Sequence, residues 1–187
     1  SFTSIIGPSG CGKSTLAKIV CNLIPSSLGK IIVENKEFKT LPPEIAYKII
    51  SYVPQDAFIF KGSLYDNITL YDKQITEKDV QKAIQTTDLL EILKVDHDLQ
   101  SYSIEHNGSN ISAGQKQIIE ITRALARNPK VLILDEATAC IDVNLEKFIL
   151  GRLKNSDLTI ISIAHRKTAL DFSTDILDLT PFVPSSK

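Results

Sequence analysis

The sequence predicts an α/β fold in which a largely parallel central sheet is flanked by helices. Short apolar runs of strand length recur along the chain, and helical patterns separate them. The runs at residues 131–134 and 159–164 are continuously hydrophobic, as is typical of parallel strands that are buried on both faces. A length of 187 residues with 43% hydrophobic residues suits one domain with a substantial core.

The first part of the chain predicts a strand, a glycine-rich loop and a helix in succession. Residues 2–6 are short and apolar and lead directly into the loop at residues 7–12. A helix is then expected, because apolar residues recur at helical spacing until Pro25 interrupts the pattern. These apolar residues are Leu16, Ile19, Val20 and Leu23. Further strands are predicted at residues 30–34 and 49–53.

The middle of the chain predicts a helical subdomain. Thr76 and Asp79 resemble a capping box, although Glu or Gln is preferred where Asp79 stands, and Asp88 is a candidate start for another helix. A Ser/Gly-containing turn precedes a predicted helix at residues 115–127. We therefore predict a single domain, with a core of residues 1–60 and 128–180, a helical insertion at about 62–127 and a tail at 181–187.

Charge and cysteine content exclude several classes of protein. With 21 Lys and Arg against 22 Asp and Glu and no basic block, a nucleic-acid partner is not expected. No apolar run reaches the length of a membrane span. The three cysteines are scattered, which argues against a disulfide framework or a zinc site and favours a reducing compartment. The chain starts with Ser, has no Met and carries no signal-peptide pattern, so we expect a piece of a longer polypeptide.

The glycine-rich loop at residues 7–14, GPSGCGKS, fits the phosphate-loop pattern G-x-x-x-x-G-K-[ST]. Its glycines allow backbone N–H groups to point at phosphate oxygens, and the helix N-terminus adds positive partial charge. Lys13 would reach the outer phosphates, and the Ser14 hydroxyl would ligate Mg²⁺. The alternative is a glycine-rich turn without function, which a strand on one side and a helix on the other make improbable. The sequence therefore predicts a P-loop nucleotide-binding site.

Two adjacent carboxylates, Asp135 and Glu136, end the apolar run at residues 131–134. In a phosphate-loop enzyme the first would hold Mg²⁺ and the second would orient or deprotonate the attacking water. The alternative is a strand end with solvated acids. We assign Asp135 to the metal and Glu136 to the base.

The sequence at residues 111–115, ISAGQ, taken together with the phosphate loop, resembles the signature of ATP-binding cassette (ABC) ATPases. Alone it would be a weak motif, since a Ser/Gly turn is a common helix cap. Three further positions match the family in order. Gln55 resembles the Q-loop glutamine, Asp142 the D-loop aspartate and His165 the switch histidine. Residues 60–68, FKGSLYDNI, are similar to a stretch that follows the Q-loop in exporters.

The resemblance implies a P-loop NTPase fold with an inserted signature subdomain, an ATPase activity and a set of site residues. The implied nucleotide-binding residues are Gly7, Pro8, Ser9, Gly10, Cys11, Gly12, Lys13, Ser14, Thr15, Gln55, Ser112, Gly114, Gln115, Asp142 and His165. The implied metal ligands are Ser14, Gln55 and Asp135, and the implied catalytic residues are Glu136, His165 and Gln55.

The resemblance also implies ATP and Mg²⁺ as ligands. Its implied partners are a transmembrane domain, expected on the same polypeptide, and a second nucleotide-binding domain that sandwiches two ATP molecules head to tail. The domain would lie at the cytoplasmic face of a membrane and power export.

The sequence departs from the family at three places. Only six residues precede Gly7, so the family's adenine-stacking aromatic is missing, and residues 180–187 lack the expected glycine-rich hairpin. Both ends are therefore expected to be truncated. His106 stands where exporters usually carry Glu.

Three other functions are alternatives to this one. A chromosome-maintenance ATPase would carry a coiled coil between Q-loop and signature, whereas Ser112 follows Gln55 by only 57 positions and no heptads lie between them. A degenerate cassette that binds ATP without turnover is disfavoured by Glu136 and His165. A nucleotide kinase would not carry the signature.

Overall fold

The computed structural model describes residues 1–33, 35–96, 98–164 and 166–182. The strands of this part are β1 (Phe2–Ile6), β2 (Ile32–Val33), β3 (Lys36–Glu37), β4 (Ile50–Val53), β5 (Gly62–Ser63), β6 (Ser103–Ile104), β7 (Val131–Asp135), β8 (Thr159–Ile163) and β9 (Asp175–Asp178). Five of them form a sheet in the order β4-β7-β8-β1-β9, and all its neighbouring pairs are parallel. The pairs β2-β3 and β5-β6 are antiparallel and separate from it.

Helices connect the parallel strands and fill the stretch between β4 and β7. They are α1 (Lys13–Val20), α2 (Pro43–Ile49), α3 (Leu64–Thr69), α4 (Glu77–Thr87), α5 (Leu89–Leu93), α6 (Ala113–Ala126), α7 (Val143–Lys154) and α8 (Lys167–Phe172). Short 3-10 turns lie at Phe38–Thr40, His106–Gly108 and Thr180–Phe182. The predicted α/β class with a parallel sheet is thus confirmed. Among the described helices none is long and apolar enough to cross a membrane.

Alternation along the strands buries both faces of the sheet. On β7, Leu132 and Leu134 belong to the larger hydrophobic cluster, which includes the apolar side chains of α4 and α6. Ile133, between them, belongs to a second cluster on the other face, with Ile5 and the α1 residue Ala17. Because β7 packs against hydrophobic clusters on both faces, the position of its carboxyl end is well defined, and Asp135 lies at that end.

Several predicted boundaries differ from the structure. The first helix ends at Val20, and Leu23, counted in its pattern, is 51% exposed. The strand predicted at residues 30–34 is only Ile32–Val33, with Glu34 outside the described residues. The strand predicted at 49–53 starts one residue later, because Ile49 ends α2. Helix α2 was not predicted, because a helix of two turns is too short for a clear periodic pattern.

Caps define the helices of the middle stretch. Thr76 accepts from the backbone N–H of Asp79 while the Asp79 carboxylate accepts from that of Thr76, which confirms the capping box. A helix does begin after Asp88, but Asp88 has left-handed backbone angles and no side-chain capping bond. The signature helix begins at Ala113, two residues before the predicted start. Helices α3, α4, α5 and α6 lie within the predicted insertion, and the division into core, insertion and tail stays a prediction.

Candidate functional site

The phosphate-loop residues connect β1 to α1, as the sequence predicts. Gly12 caps α1 with φ 96°, a left-handed conformation that residues with a side chain rarely adopt. Pro8, Ser9 and Gly10 at the tip of the loop are exposed. The loop therefore presents its backbone to solvent at the N-terminus of a helix, where anions are favoured.

Lys13 lies beneath this loop and is only 6% exposed. Its Nζ donates hydrogen bonds to the carbonyl oxygens of Gly7 at 2.9 Å and Pro8 at 3.0 Å. The ammonium group is thus held by the backbone of the loop itself. This arrangement places a positive charge within the loop that would surround a phosphate group.

Asp135, at the end of β7, is 3% exposed and accepts two side-chain hydrogen bonds. Ser14 Oγ donates to Oδ1 at 2.8 Å, and the Tyr52 hydroxyl donates to Oδ2 at 2.7 Å. Both carboxylate oxygens are therefore fixed, one from the phosphate-loop helix and the other from the adjacent strand β4.

Tyr52 is a site residue that no motif in the sequence indicates. It reaches Asp135 because β4 pairs with β7 in parallel, with Tyr52 opposite Ile133. Burial and the bond to Asp135 raise the pKa of Tyr52 above its usual value, so the phenol stays protonated and donates. In the sequence, the only indication of this role is that Tyr52 stands three residues before Gln55.

Glu136 has left-handed backbone angles, with φ 53°, although it is not a glycine. Such conformations cost free energy and are concentrated at functional sites. Its backbone N–H donates to the carbonyl oxygen of Ile163 at 3.0 Å, and its Oε2 accepts from Gln55 Nε2 at 3.1 Å. Gln55 and Glu136, which lie 81 residues apart in sequence, are thus brought together.

The signature residues Ser112 and Gln115 form a capping box at the start of α6. Ser112 Oγ accepts from the Gln115 backbone N–H at 3.2 Å, and Gln115 Oε1 accepts from the Ser112 backbone N–H at 2.8 Å. Gln115 Nε2 also donates to the carbonyl oxygen of Ile92 at 3.2 Å, which ties α6 to α5. Within the described residues, no hydrogen bond or ion pair joins Ser112 to the phosphate loop.

Gly114 and Asp142 have local structural roles. A Cβ at Gly114 would lie 2.9 Å from the carbonyl oxygen of Cys140, so only glycine fits this contact. Asp142 caps α7, since its Oδ1 accepts from the backbone N–H groups of Asn144 at 2.9 Å and Leu145 at 3.4 Å. The structure therefore places the signature next to the turn that precedes Asp142. His165 lies outside the described residues.

The donor set around Asp135 fits Mg²⁺. Ser14 and Asp135 offer oxygen atoms only, and Mg²⁺ prefers oxygen ligands, with one or two carboxylates completed by substrate phosphates and water. No group of three or more His, Cys, Asp or Glu that would hold a metal occurs in the described part of the chain.

A phosphate loop between β1 and α1, with an acidic pair at the end of the parallel strand β7, which β8 separates from β1, defines a P-loop NTPase fold. Comparison with known proteins identifies the family of P-loop NTPases to which the chain belongs. The family model "ABC transporter" matches residues 1–139, and the chain belongs to this family. This confirms the resemblance found in the motifs.

Relatives include proteins of export systems. The chain is 36% identical over 178 residues to a protein of Rickettsia felis named as an export ATP-binding/permease protein, covering 94% of this chain and 31% of that protein. It is 38% identical over 169 residues to the multidrug resistance-like ATP-binding protein MdlB of Buchnera aphidicola, covering 89% and 29% respectively. It is 34% identical over 178 residues to the lactococcin-A transport/processing ATP-binding protein LcnC of Lactococcus lactis, covering 93% and 24%. The chain thus spans less than a third of the length of these relatives.

The fold is also similar to that of a solved exporter. A structure of a bacterial Atm1-family ABC exporter with ATP bound superposes with a TM-score of 0.86 at 28% identity, covering 96% of this chain and 32% of the exporter chain. The architecture is therefore that of an exporter-type ATP-binding domain.

Proposed function

We propose that this chain is the nucleotide-binding domain of an ABC exporter, which binds ATP with Mg²⁺ and hydrolyses it to power transport. The proposal is supported by one observation: three segments of the chain contact each other at the ends of parallel strands. Ser14 of the phosphate loop contacts Asp135 at 2.8 Å, and Gln55 contacts Glu136 at 3.1 Å. These two contacts bring together a phosphate-binding loop, an oxygen donor set and a candidate base.

The residues of the phosphate loop would bind the nucleotide. The backbone of residues 7–15 would surround the phosphates, and Lys13 Nζ would exchange its contacts with Gly7 and Pro8 for phosphate oxygens. Ser14 and Asp135 would hold Mg²⁺, with Gln55 as a further ligand. When bound, Mg²⁺ neutralises the charge that develops on the phosphate oxygens.

Glu136 would act as the base. Water attacks the γ-phosphorus, the bond to the β-γ bridging oxygen breaks, and the proton of the water passes to Glu136, which leaves ADP and phosphate. The Gln55 amide orients the Glu136 carboxylate through the 3.1 Å hydrogen bond. His165 is assigned to the γ-phosphate on the family resemblance alone.

A second copy of the domain would complete the site. Ser112 is exposed at the start of α6, and in the described part of its own chain it makes no hydrogen bond to the phosphate loop. In a head-to-tail pair, Ser112, Gly114, Gln115 and Asp142 would face the ATP bound by the partner's phosphate loop. The active site would then be shared between two domains.

A mixing experiment tests the shared site. In full-length protein, Lys13→Ala should inactivate the phosphate-loop half of each site, and Ser112→Arg should block the signature half. Each variant alone should then release little phosphate from ATP, while mixed dimers should recover activity, because one of their two sites is intact. Failure of the mixture to recover would contradict the sandwich. Binding of ATP without phosphate release by wild-type protein would support the alternative of a degenerate cassette.

A hollow beside the site supports the proposed transmembrane partner. It measures about 350 Å³, and its rim carries the exposed apolar side chains of Leu23, Phe58 and Leu70. Ser51 and Arg123 are also among its lining residues. In the described part of the chain, Ser51 Oγ and Arg123 Nη2 are buried side-chain polar atoms without a hydrogen-bond partner. A segment with an apolar face would cover the exposed side chains of the rim.

We assign this hollow to the transmembrane domain, which would place the chain at the cytoplasmic face of a membrane. In full-length protein, Phe58→Asp should speed amide hydrogen exchange of residues around the hollow, because the contact with the membrane domain is weakened. Phe148→Asp on α7 is the matched control, since Phe148 is also exposed but does not line the hollow. Equal exchange in the two variants would contradict the assignment.

A further inference from the structure

The turn at residues 139–141 connects three parts of the candidate site. It begins three residues after Glu136 and directly precedes Asp142. The backbone N–H of Ala139 donates to Glu136 O at 3.1 Å, which links the turn to the candidate base. The carbonyl oxygen of Cys140 faces Gly114 of the signature, where a Cβ would lie only 2.9 Å away. A shift of this turn would therefore displace the base, the signature contact and the start of α7 together.

Arg166 holds the two remaining carbonyl groups of the turn. Its Nη2 donates to Ala139 O at 2.5 Å, and its Nη1 donates to Ile141 O at 2.9 Å. The planar guanidinium presents its donors in a fixed fork, so two carbonyl groups bound in this way have a fixed separation. A lysine ammonium at the same place is a compact point charge and does not reproduce the fork.

A buried carboxylate anchors the arginine. Glu146 on α7 is 0% exposed, and its Oε2 lies 3.5 Å from Arg166 Nη1. Its Oε1 accepts a 2.6 Å hydrogen bond from Thr138 Oγ1, just before the turn. A buried charge is costly unless it is paired and hydrogen-bonded, so this site stabilises a carboxylate only with Arg166 in place.

We propose that Arg166 is a positioning residue for ATP hydrolysis, which holds the turn at residues 139–141 so that Glu136, Asp142 and the Gly114 contact keep their relative places. The proposal rests on the proposed function for its effect on turnover. Arg166 acts through the turn and is not assigned a contact with nucleotide.

The test compares Arg166→Met with Arg152→Met in full-length protein. Arg152 is a suitable control because it lies on α7, stacks over Phe148 and donates to Gln85 O, away from the turn. We expect Arg166→Met to lower kcat about tenfold, because small displacements of reacting groups cost large factors in rate. The KM for ATP should stay within about twofold, since the phosphate loop is untouched. Arg152→Met should change neither constant.

A second readout does not depend on catalysis. In nucleotide-free protein, Arg166→Met should speed hydrogen exchange of the Ala139 and Ile141 amides, which donate within the turn at 3.1 Å each. Exchange in α4, which is remote from the turn, reports whether the variant remains folded. Unchanged exchange at the turn would overturn the proposal whatever the activity. Inactive wild-type protein would instead contradict the proposed function, and faster exchange at the turn would still support the role of Arg166.

Two milder variants guard against a folding defect. Glu146→Gln keeps an acceptor for Thr138 but removes the charge that pairs with Arg166, so it should raise exchange at the turn and lower kcat less than Arg166→Met does. Arg166→Lys should restore kcat and exchange only in part. Full restoration by lysine would overturn the requirement for a fork, and wild-type behaviour of Glu146→Gln would overturn the anchor.

Discussion

The hydroxyl of Ser14 donates a 2.8 Å hydrogen bond to Oδ1 of Asp135 and so joins the first turn of α1 to the end of β7. These two oxygens would both coordinate Mg²⁺, and their contact brings them close before a metal binds. The other carboxylate oxygen is fixed by Tyr52 at 2.7 Å, which leaves Asp135 little rotational freedom.

Tyr52→Phe should weaken metal binding without removing ATP binding. The ring is retained, but Asp135 loses the donor to Oδ2, and outer-shell partners of metal ligands typically matter by a factor of 10 or more. We expect half-maximal phosphate release to need about tenfold more Mg²⁺. Tyr65→Phe on α3 is the control. Equal Mg²⁺ requirements for the two variants would show that Tyr52 does not orient Asp135.

Lys13→Ala should weaken ATP binding itself. The substitution removes the positive charge that lies under the loop at 2.9 Å from Gly7 O, and we expect affinity to fall by about tenfold or more. Lys18→Ala, which removes an exposed lysine from the same helix, should leave affinity unchanged. Titration calorimetry of the full-length proteins measures both. Unaltered affinity in Lys13→Ala would contradict the phosphate role.

The cysteines should respond differently to an alkylating agent. Burial raises the pKa of Cys21 to about 12, so near pH 8 its thiol is neutral and enclosed, and it should react only on unfolding. Cys11 is half-buried in the phosphate loop and should be labelled in nucleotide-free protein. MgATP should slow labelling of Cys11, because bound phosphates cover the loop.

Mass spectrometry of labelled peptides with and without MgATP measures these rates. Cys140 is exposed and shows that the reagent is active in the nucleotide-free sample. Equal labelling of Cys11 under the two conditions would place the nucleotide elsewhere. Rapid labelling of Cys21 in folded protein would contradict its burial.

The sequence predicted the parts of the site that are contiguous or have fixed spacing. The phosphate loop at residues 7–14 and the pair Asp135 and Glu136 each occupy one short segment, next to a strand whose pattern is clear. Gln55 was placed through family resemblance, and the structure brings it to Glu136. These features can be predicted because each one is a motif of residues that are close together in the sequence.

Other features depend on tertiary packing and were not predictable. Tyr52 meets Asp135 only because of the register between β4 and β7. The two hydrogen bonds from Arg166 to the turn join residues 25 or more positions apart, and no periodic pattern in the sequence predicts them. The reason that residue 114 is glycine is likewise a close approach to Cys140, not a backbone angle that a motif encodes.

The role of Glu136 as the base of an ATP-hydrolysing site is tested most directly by phosphate release. Full-length Glu136→Gln is compared with wild type, and ATP binding is measured on the same samples. Glutamine keeps the size of the side chain but cannot accept the proton from water. We expect ATP affinity to be retained while turnover falls at least about a hundredfold. Phosphate release by Glu136→Gln at the wild-type rate would contradict the account.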